Sequence, residues 1–360
     1  MLVEQAVAWL SNRLPQEWEV ERVPLDPEQE VDARLTLRAG GFIGSILVET
    51  RAAISPRDVS GLLSGFARSL RSITPGTALL VIAPWLSERT REALAGEEIN
   101  YVDLTGNARI HLPSPALYIE TVGAARNPAP ETRSGPQLRG TKAARLIRLL
   151  ADVAPPYGVR ELADAAELTP GYVSRLLDTL YREALVERSS RGGVESVDVP
   201  GILRRWATSY DVFKTNEASS YVAPMGLPRL LSQLESNPAV ATKLAVTGSF
   251  AARRLAPVSR PALLLAYCDS PAPLAEMLEL LPADEAADVM LLRPFDRSVW
   301  LRATTEDGTR YVAPSQVAVD CLTGNGRMPA EGEALLEWMI DNEPAWRASS
   351  LGKLTSPTDR

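Results

Sequence analysis

The sequence predicts an α+β chain of several domains: α/β over residues 1–122, mostly helical over 140–215, and α/β again over 216–348. Three observations carry this. The chain has 360 residues, enough for two or three domains that each bury a core. The run GAARNPAPETRSGPQLRG is rich in Pro, Gly, Ser and Arg and nearly free of apolar residues, so 123–139 reads as a linker. The flanking segments mix strand-like and helix-like apolar spacing, whereas the segment after the linker is helical except for one hairpin. A vaguer boundary falls near KTNEASSYVAPMGLP, 214–228, and the tail 349–360 reads as disordered.

In the first segment VEQAVAWLSNRL has the apolar spacing of a helix. ARLTLRA and GSILVET read as paired strands joined at Gly40–Gly41. SPRDVSGLLSGFARSLRS is an amphipathic helix with Ser55 as N-cap and Pro56 at its first position. ALLVIAPW is a buried strand and SERTREALAGEE a helix. INYVDLTGNARIHL holds two strands around a turn at Thr105-Gly106-Asn107, with Asp103 as a turn acid.

In the middle segment TKAARLIRLLAD is a helix whose inner face carries Ala144, Leu146, Ile147, Leu149 and Leu150. GVRELADAAEL follows, burying Val159, Leu162, Ala163 and Ala166. Thr169 is a suitable N-cap and Pro170 a suitable first-turn residue for a third helix with Val173, Leu176, Leu177, Leu180 and Tyr181 at helical spacing. Helix, helix, short turn and helix make a helix-turn-helix, whose last helix lies in the DNA major groove and meets base edges with its N-terminal half. The outward positions are read as Gly171, Tyr172, Ser174, Arg175 and Thr179. Arg175 is suited to bidentate guanine contact, Tyr172 and Ser174 to phosphates or bases, and Gly171 to close backbone approach. ALVERSSRGGVESVDV then reads as strand, tight turn at Gly192-Gly193, strand.

That hairpin resembles the wing of a winged helix-turn-helix, the DNA-binding module of many bacterial transcription regulators. The resemblance implies that Arg188 and Arg191 meet phosphates or the minor groove. Arg139, Lys142 and Arg145 add positive charge at the domain entrance. With Thr169 at the turn, these residues and the outward set form the candidate DNA-binding surface. Asp178, Glu183, Glu187 and Glu195 leave the segment near neutral, which keeps a purely protein-binding winged helix open.

In the first segment, Asp32 before one strand and Glu49-Thr50-Arg51 at the end of the next resemble the restriction-endonuclease-like fold. There an Asp and a Glu hold a divalent metal beside the scissile phosphate. Arg51 stands where that family has Lys, and arginine keeps its proton. A degenerate domain is therefore expected, with metal-dependent nuclease action at Asp32, Glu49 and Arg51 as the alternative. In the last segment AVTGSFAARRL places Gly248-Ser249 where a nucleotidyltransferase-like fold opens a helix, a position suited to phosphate. The next acid is a lone Asp269, so an inactive copy is expected. YVAPSQVAVDCLTGNGRMPAEGEALLEWM, 311–339, resembles C-terminal segments of AbiEi-family regulators, the winged-helix antitoxins of type IV toxin–antitoxin systems. That resemblance implies a repressor, or an antitoxin or protein-interaction module. Gln316, Asp320 and Arg327 are read as an Asp-capped core helix and loop, or as the lining of a ligand or partner site.

Composition narrows the classes. Net charge is −7, which argues against a nucleic-acid-coating protein but leaves a local basic face possible. A single histidine, His111, leaves little room for a Ser-His-Asp triad or a His-rich zinc site. Cys268 and Cys321 lack metal-ligand spacing and read as buried small hydrophobes. No apolar run reaches membrane-span length, and the N-terminus lacks signal-peptide features. The expectation is a cytoplasmic, nucleoid-associated regulator without enzyme activity, cofactor or metal. Its partner is double-stranded DNA, a homodimer matches a palindromic site, and any protein partner or small effector is unknown.

Overall fold

The computed structural model describes residues 2–24, 31–62, 77–125, 127–128, 138–283 and 286–351. The helix expected from Ser55 is helical over 56–62, and its remainder lies outside the described residues, as do most of the linker and most of the tail. The chain divides into two compact units, Met1–Ser134 with Tyr181–Ala184, and Gly135–Leu180 with Leu185–Arg360. Apart from Tyr181–Ala184, the helix-turn-helix segment and the C-terminal α/β segment fall within one unit.

The first unit is built on a seven-stranded sheet in sequential order. Its strands are β1 (Trp18–Val23), β2 (Ala33–Ala39), β3 (Phe42–Thr50), β4 (Ala78–Ala83), β5 (Asn100–Asp103), β6 (Ala108–Pro113) and β7 (Ala116–Thr121). β3, β4 and β5 run parallel, as their long crossovers require, and the other neighbours are antiparallel hairpins. Alternation along the strands sorts the core. Ile46, Val48, Leu80 and Ile82 pack with Val3, Ala6 and Leu10 of α1 (Leu2–Ser11). Leu47, Val81 and Ala83 pack in a second cluster with Leu86 and with Leu94 of α2 (Glu88–Gly96). A strand buried on both faces has no polar side to display, which is why ALLVIA reads as a continuous apolar run. The β2–β3 hairpin turns at Gly40, φ +59°, with Ala39 opposite Phe42. Strand β1 was not anticipated, although WEVERV alternates as a half-exposed edge strand does.

Asp103 is a turn acid, as expected. Wholly buried, it accepts hydrogen bonds from the backbone N–H of Leu86, Thr105 and Asn107 and from the side chains of Thr105 and Asn107. Gly123 closes over this turn, and a Cβ there would lie 2.3 Å from the Thr105 carbonyl oxygen.

Among the described residues the second unit joins the helices given next, and a short one at Glu343–Trp346, to a mixed sheet. The helices are α3 (Gly140–Asp152), α4 (Val159–Ala166), α5 (Pro170–Arg182), α6 (Val199–Ala207), α7 (Val212–Thr215), α8 (Leu227–Ser236), α9 (Pro238–Ala241), α10 (Gly248–Leu255), α11 (Pro271–Met277), α12 (Pro314–Leu322) and α13 (Met328–Asp341). A two-stranded ribbon, β8 (Val186–Arg188) and β9 (Val194–Val197), follows α5. The sheet runs in the order β13-β10-β14-β12-β11-β16-β15. These are β10 (Glu217–Val222), β11 (Leu244–Thr247), β12 (Leu264–Cys268), β13 (Leu281–Pro282), β14 (Val289–Arg293), β15 (Thr304–Glu306) and β16 (Thr309–Tyr311). Helix α12 is buried on every side, from Ser315 through Cys321, and packs on α3, α6, α10 and α13. Gly332 lets α13 approach it, since a Cβ there would lie 2.8 Å from the Leu322 backbone nitrogen. Both cysteines are free and buried.

Candidate nucleic-acid interface

Helices α3, α4 and α5 enclose a core of small and branched side chains. Ala144, Leu146, Ile147, Leu150, Leu162, Ala163, Ala166, Val173, Leu176, Leu177 and Leu180 are all buried. Helix α4 begins with the Gly158 N–H donating to Glu161 Oε2 at 2.6 Å. It ends at Glu167 in the left-handed region, φ +55°, and the Leu168 N–H returns to the Ala163 carbonyl at 2.8 Å. That reversal makes room for α5 at once. The Thr169 carbonyl accepts from Val173 N–H at 3.2 Å, opening the new helix, and Pro170 sits where no N–H is needed.

The N-terminal half of α5 presents a polar face. Thr169, Gly171 and Arg175 are exposed, and Tyr172 and Ser174 are half-buried. A Cβ at Gly171 would meet nothing within 4 Å, so the helix carries an open notch at that point. Partial burial raises the Tyr172 phenol above its ordinary pKa, against the lowering effect of the Arg175 charge. Arg139 and Lys142 are exposed at the start of α3.

Three of the residues expected on this surface are engaged internally. Thr179 is only 8% exposed, and its hydroxyl donates to the Arg175 carbonyl at 3.2 Å. It shares the inward stripe with Leu176 and Leu180, and a back-bonded hydroxyl can be buried there at little cost. Arg145 turns onto Asp296: its Nε lies 3.2 and 3.0 Å from the two carboxylate oxygens, and Nη2 lies 2.8 Å from Oδ2. Arg188 donates to the Gly192 carbonyl from Nε at 3.1 Å and Nη2 at 2.8 Å, and it pairs with Asp178 of α5. The outward reading of Thr179 is therefore corrected, and Arg145 and Arg188 act first on their own fold.

The ribbon after α5 has a tight turn as expected. Ser189 N–H donates to the Gly193 carbonyl and Gly192 N–H to the Ser189 carbonyl, both at 2.9 Å. Gly192 has φ +83°. Tyr157 adds a bridge to Val194 on the far side of β9. Arg191 stands exposed at the tip.

Arg148, which the sequence reading passed over, is the largest polar side chain buried in this unit. It is 0% exposed and holds Asp152 through Nε at 3.2 Å and Nη2 at 2.8 Å. It also donates to Ser315 Oγ, Gln316 Oε1 and the carbonyls of Ser298 and Leu301, at 2.8–3.0 Å. Its i, i+4 spacing to Asp152 was the available signal. Gln316 passes the network on to Asp320, which also accepts from Tyr210, Tyr267 and Thr247. Gln316 and Asp320 are thus core residues.

The other carboxylates resolve more simply. Asp32 Oδ2 accepts from the Thr50 N–H at 2.7 Å and the Thr50 hydroxyl at 2.6 Å. Glu49 pairs with Arg51 at 2.6 Å. Burial raises the Glu49 pKa, Arg51 lowers it, and Asp32 raises it further. Among the described residues, no group of three or more His, Cys, Asp or Glu stands together as a metal site. Gly248 and Ser249 do open helix α10 directly after β11, and the Ser249 hydroxyl donates to Glu331. Among the described residues no helix is long and apolar enough to cross a membrane.

Comparison with known proteins agrees with this geometry. Residues 141–190 match the family model of the IclR helix-turn-helix domain, which spans α3, α4, α5 and β8. The segment is a helix-turn-helix DNA-binding domain of the kind carried by bacterial transcription regulators. No curated protein and no solved structure matches the chain.

Proposed function

We propose that this protein is a sequence-specific, cytoplasmic transcription regulator, repressor-like in action, in which α5 reads the major groove of double-stranded DNA. The observation that carries the reading is the division of α5 into two faces. Val173, Leu176, Leu177 and Leu180 are sealed in the core, while Gly171, Ser174 and Arg175 face outward at the end that meets base edges. Arg175 takes a base edge, Tyr172 and Ser174 take phosphates or bases, and Thr169 and Gly171 approach the backbone. Arg191 at the ribbon tip and Arg139 and Lys142 at the start of α3 meet phosphates. A homodimer would match a palindromic site, and an AbiEi-like autorepressor is the kind of regulator that the 311–339 run suggests.

The test is a mobility-shift titration of the full chain on the DNA upstream of its own gene, with competitor duplex over a range of salt. Arg175→Ala should lose about 1–3 kcal/mol of specific binding. If that variant selects the fragment as well as the unaltered chain does, α5 is not the reading element.

A further inference from the structure

Four charged residues connect the DNA-reading turn to the C-terminal α/β portion of the same unit. Asp296 caps a 3₁₀ helix, Arg297–Trp300, by accepting from the Ser298 N–H at 2.9 Å. Its carboxylate, 3% exposed, is taken in a two-pronged grip by Arg145 of α3. A further Arg145 nitrogen lies 4.0 Å from Glu167, the left-handed residue that ends α4 two places before Thr169. Arg297, the first residue of the 3₁₀ helix, pairs with the same Glu167 carboxylate. Two guanidinium groups and two carboxylates alternate, so the chain of contacts is neutral. Burial raises the Asp296 pKa, but bonds from Arg145 and Ser298 outweigh it and hold the carboxyl below its usual range. One turn further along α3, Arg148 donates to the carbonyls of Ser298 and Leu301, so the 3₁₀ helix is gripped at both ends.

We infer that Asp296 and Arg297 are positioning residues for DNA recognition: through Arg145 and Glu167 they set the turn from which α5 departs. The inference rests on the reading of α5 as the DNA-binding helix. It gives Arg145 a different role from that of a phosphate ligand. The Nε and Nη2 of Arg145 are committed to a buried carboxylate, and releasing them would leave the Asp296 charge buried and unpaired. A bidentate pair also fixes direction, and direction is what a reading helix needs.

The two roles predict opposite signs. If Arg145 is a positioning group, Asp296→Asn in the full chain lowers specific affinity about tenfold, a typical coupling within one charge network. Affinity for competitor duplex and its salt dependence stay unchanged. If Arg145 is a phosphate ligand restrained by Asp296, the same variant binds all DNA more tightly with a steeper salt slope, and the inference is wrong. The probe is a duplex selected by the unaltered chain from a random-sequence library.

Asp296 is buried, so its replacement also acts on folding. The exposed pair avoids that difficulty. Arg297→Glu should lower the ratio of specific to competitor binding, and Arg297→Lys, which keeps a cation beside Glu167, should retain most of it, both at unchanged melting temperature. No loss in Arg297→Glu, or an equal loss in Arg297→Lys, overturns the positioning role while leaving the DNA-binding function intact. An unaltered chain that selects no duplex at all overturns the function and this inference together.

Discussion

The Arg188 guanidinium lies on the Gly192 carbonyl oxygen, at 3.1 Å from Nε and 2.8 Å from Nη2, and closes the ribbon turn from within. Its remaining nitrogen reaches Asp178 of α5, so one side chain sets the shape of the ribbon and its relation to that helix.

Arg188 and its neighbour Arg191 should therefore fail differently. Arg188→Ala should lower the melting temperature and weaken DNA binding together. Arg191→Ala should leave melting unchanged and reduce the slope of log affinity against log salt by about 1. Salt titrations beside thermal melts separate the two. A normal melting curve for Arg188→Ala would show that the ribbon needs no internal tie.

Gly171 offers a sharper separation of folding from binding. Because a Cβ there meets nothing within 4 Å, Gly171→Ala should fold at least as well, gaining up to about 1 kcal/mol from helix propensity. If the notch admits a DNA backbone, the same variant should bind duplex more weakly. Increased stability with unchanged affinity would mean that the notch is only open solvent.

The Arg148–Asp152 pair is wholly buried, so removing one partner strands the other. Arg148→Met should cost about 3–5 kcal/mol by urea denaturation. Adding Asp152→Leu should recover part of that loss, since the uncompensated carboxylate is gone. A double variant as unstable as the sum of the singles would show that Arg148 acts mainly through Ser315, Gln316 and the two carbonyls.

Asp320 predicts a pH effect of unusual sign. Burial raises its carboxyl to about 6, against the lowering pull of donors from Thr247, Tyr210, Gln316 and Tyr267. An acid with a raised folded-state pKa binds its proton more tightly when folded. Its contribution to stability is therefore greatest at low pH, falls as pH climbs from about 4 to about 6, and is constant above that. The change is on the order of 3 kcal/mol. Urea midpoints across this range should fall for the unaltered chain and flatten in Asp320→Asn. An equal slope in both would assign the effect to another group.

Within the described residues, the elements that the sequence made legible are those whose apolar period has one interpretation. The stripe Val173, Leu176, Leu177, Leu180 can only be a helix face, and Asp103 beside Thr105-Gly106-Asn107 can only serve a turn. Edge strand β1 was missed because a half-exposed strand carries a weak signal, and WEVERV bears three charged side chains.

By itself the sequence determined the helix-turn-helix, because propensity, caps and periodicity are local and agree with one another there. It also determined which polar residues stand near the N-terminal end of α5. Only the tertiary structure decided which of them are available. Arg145, Arg148 and Arg188 look alike in the chain, yet one meets Asp296, one is sealed against α12 and the 3₁₀ helix, and one folds back on Gly192. Those partners lie on other elements, up to 168 residues away for Gln316. Whether a guanidinium faces solvent or a carboxylate depends on packing between elements, which local spacing does not encode.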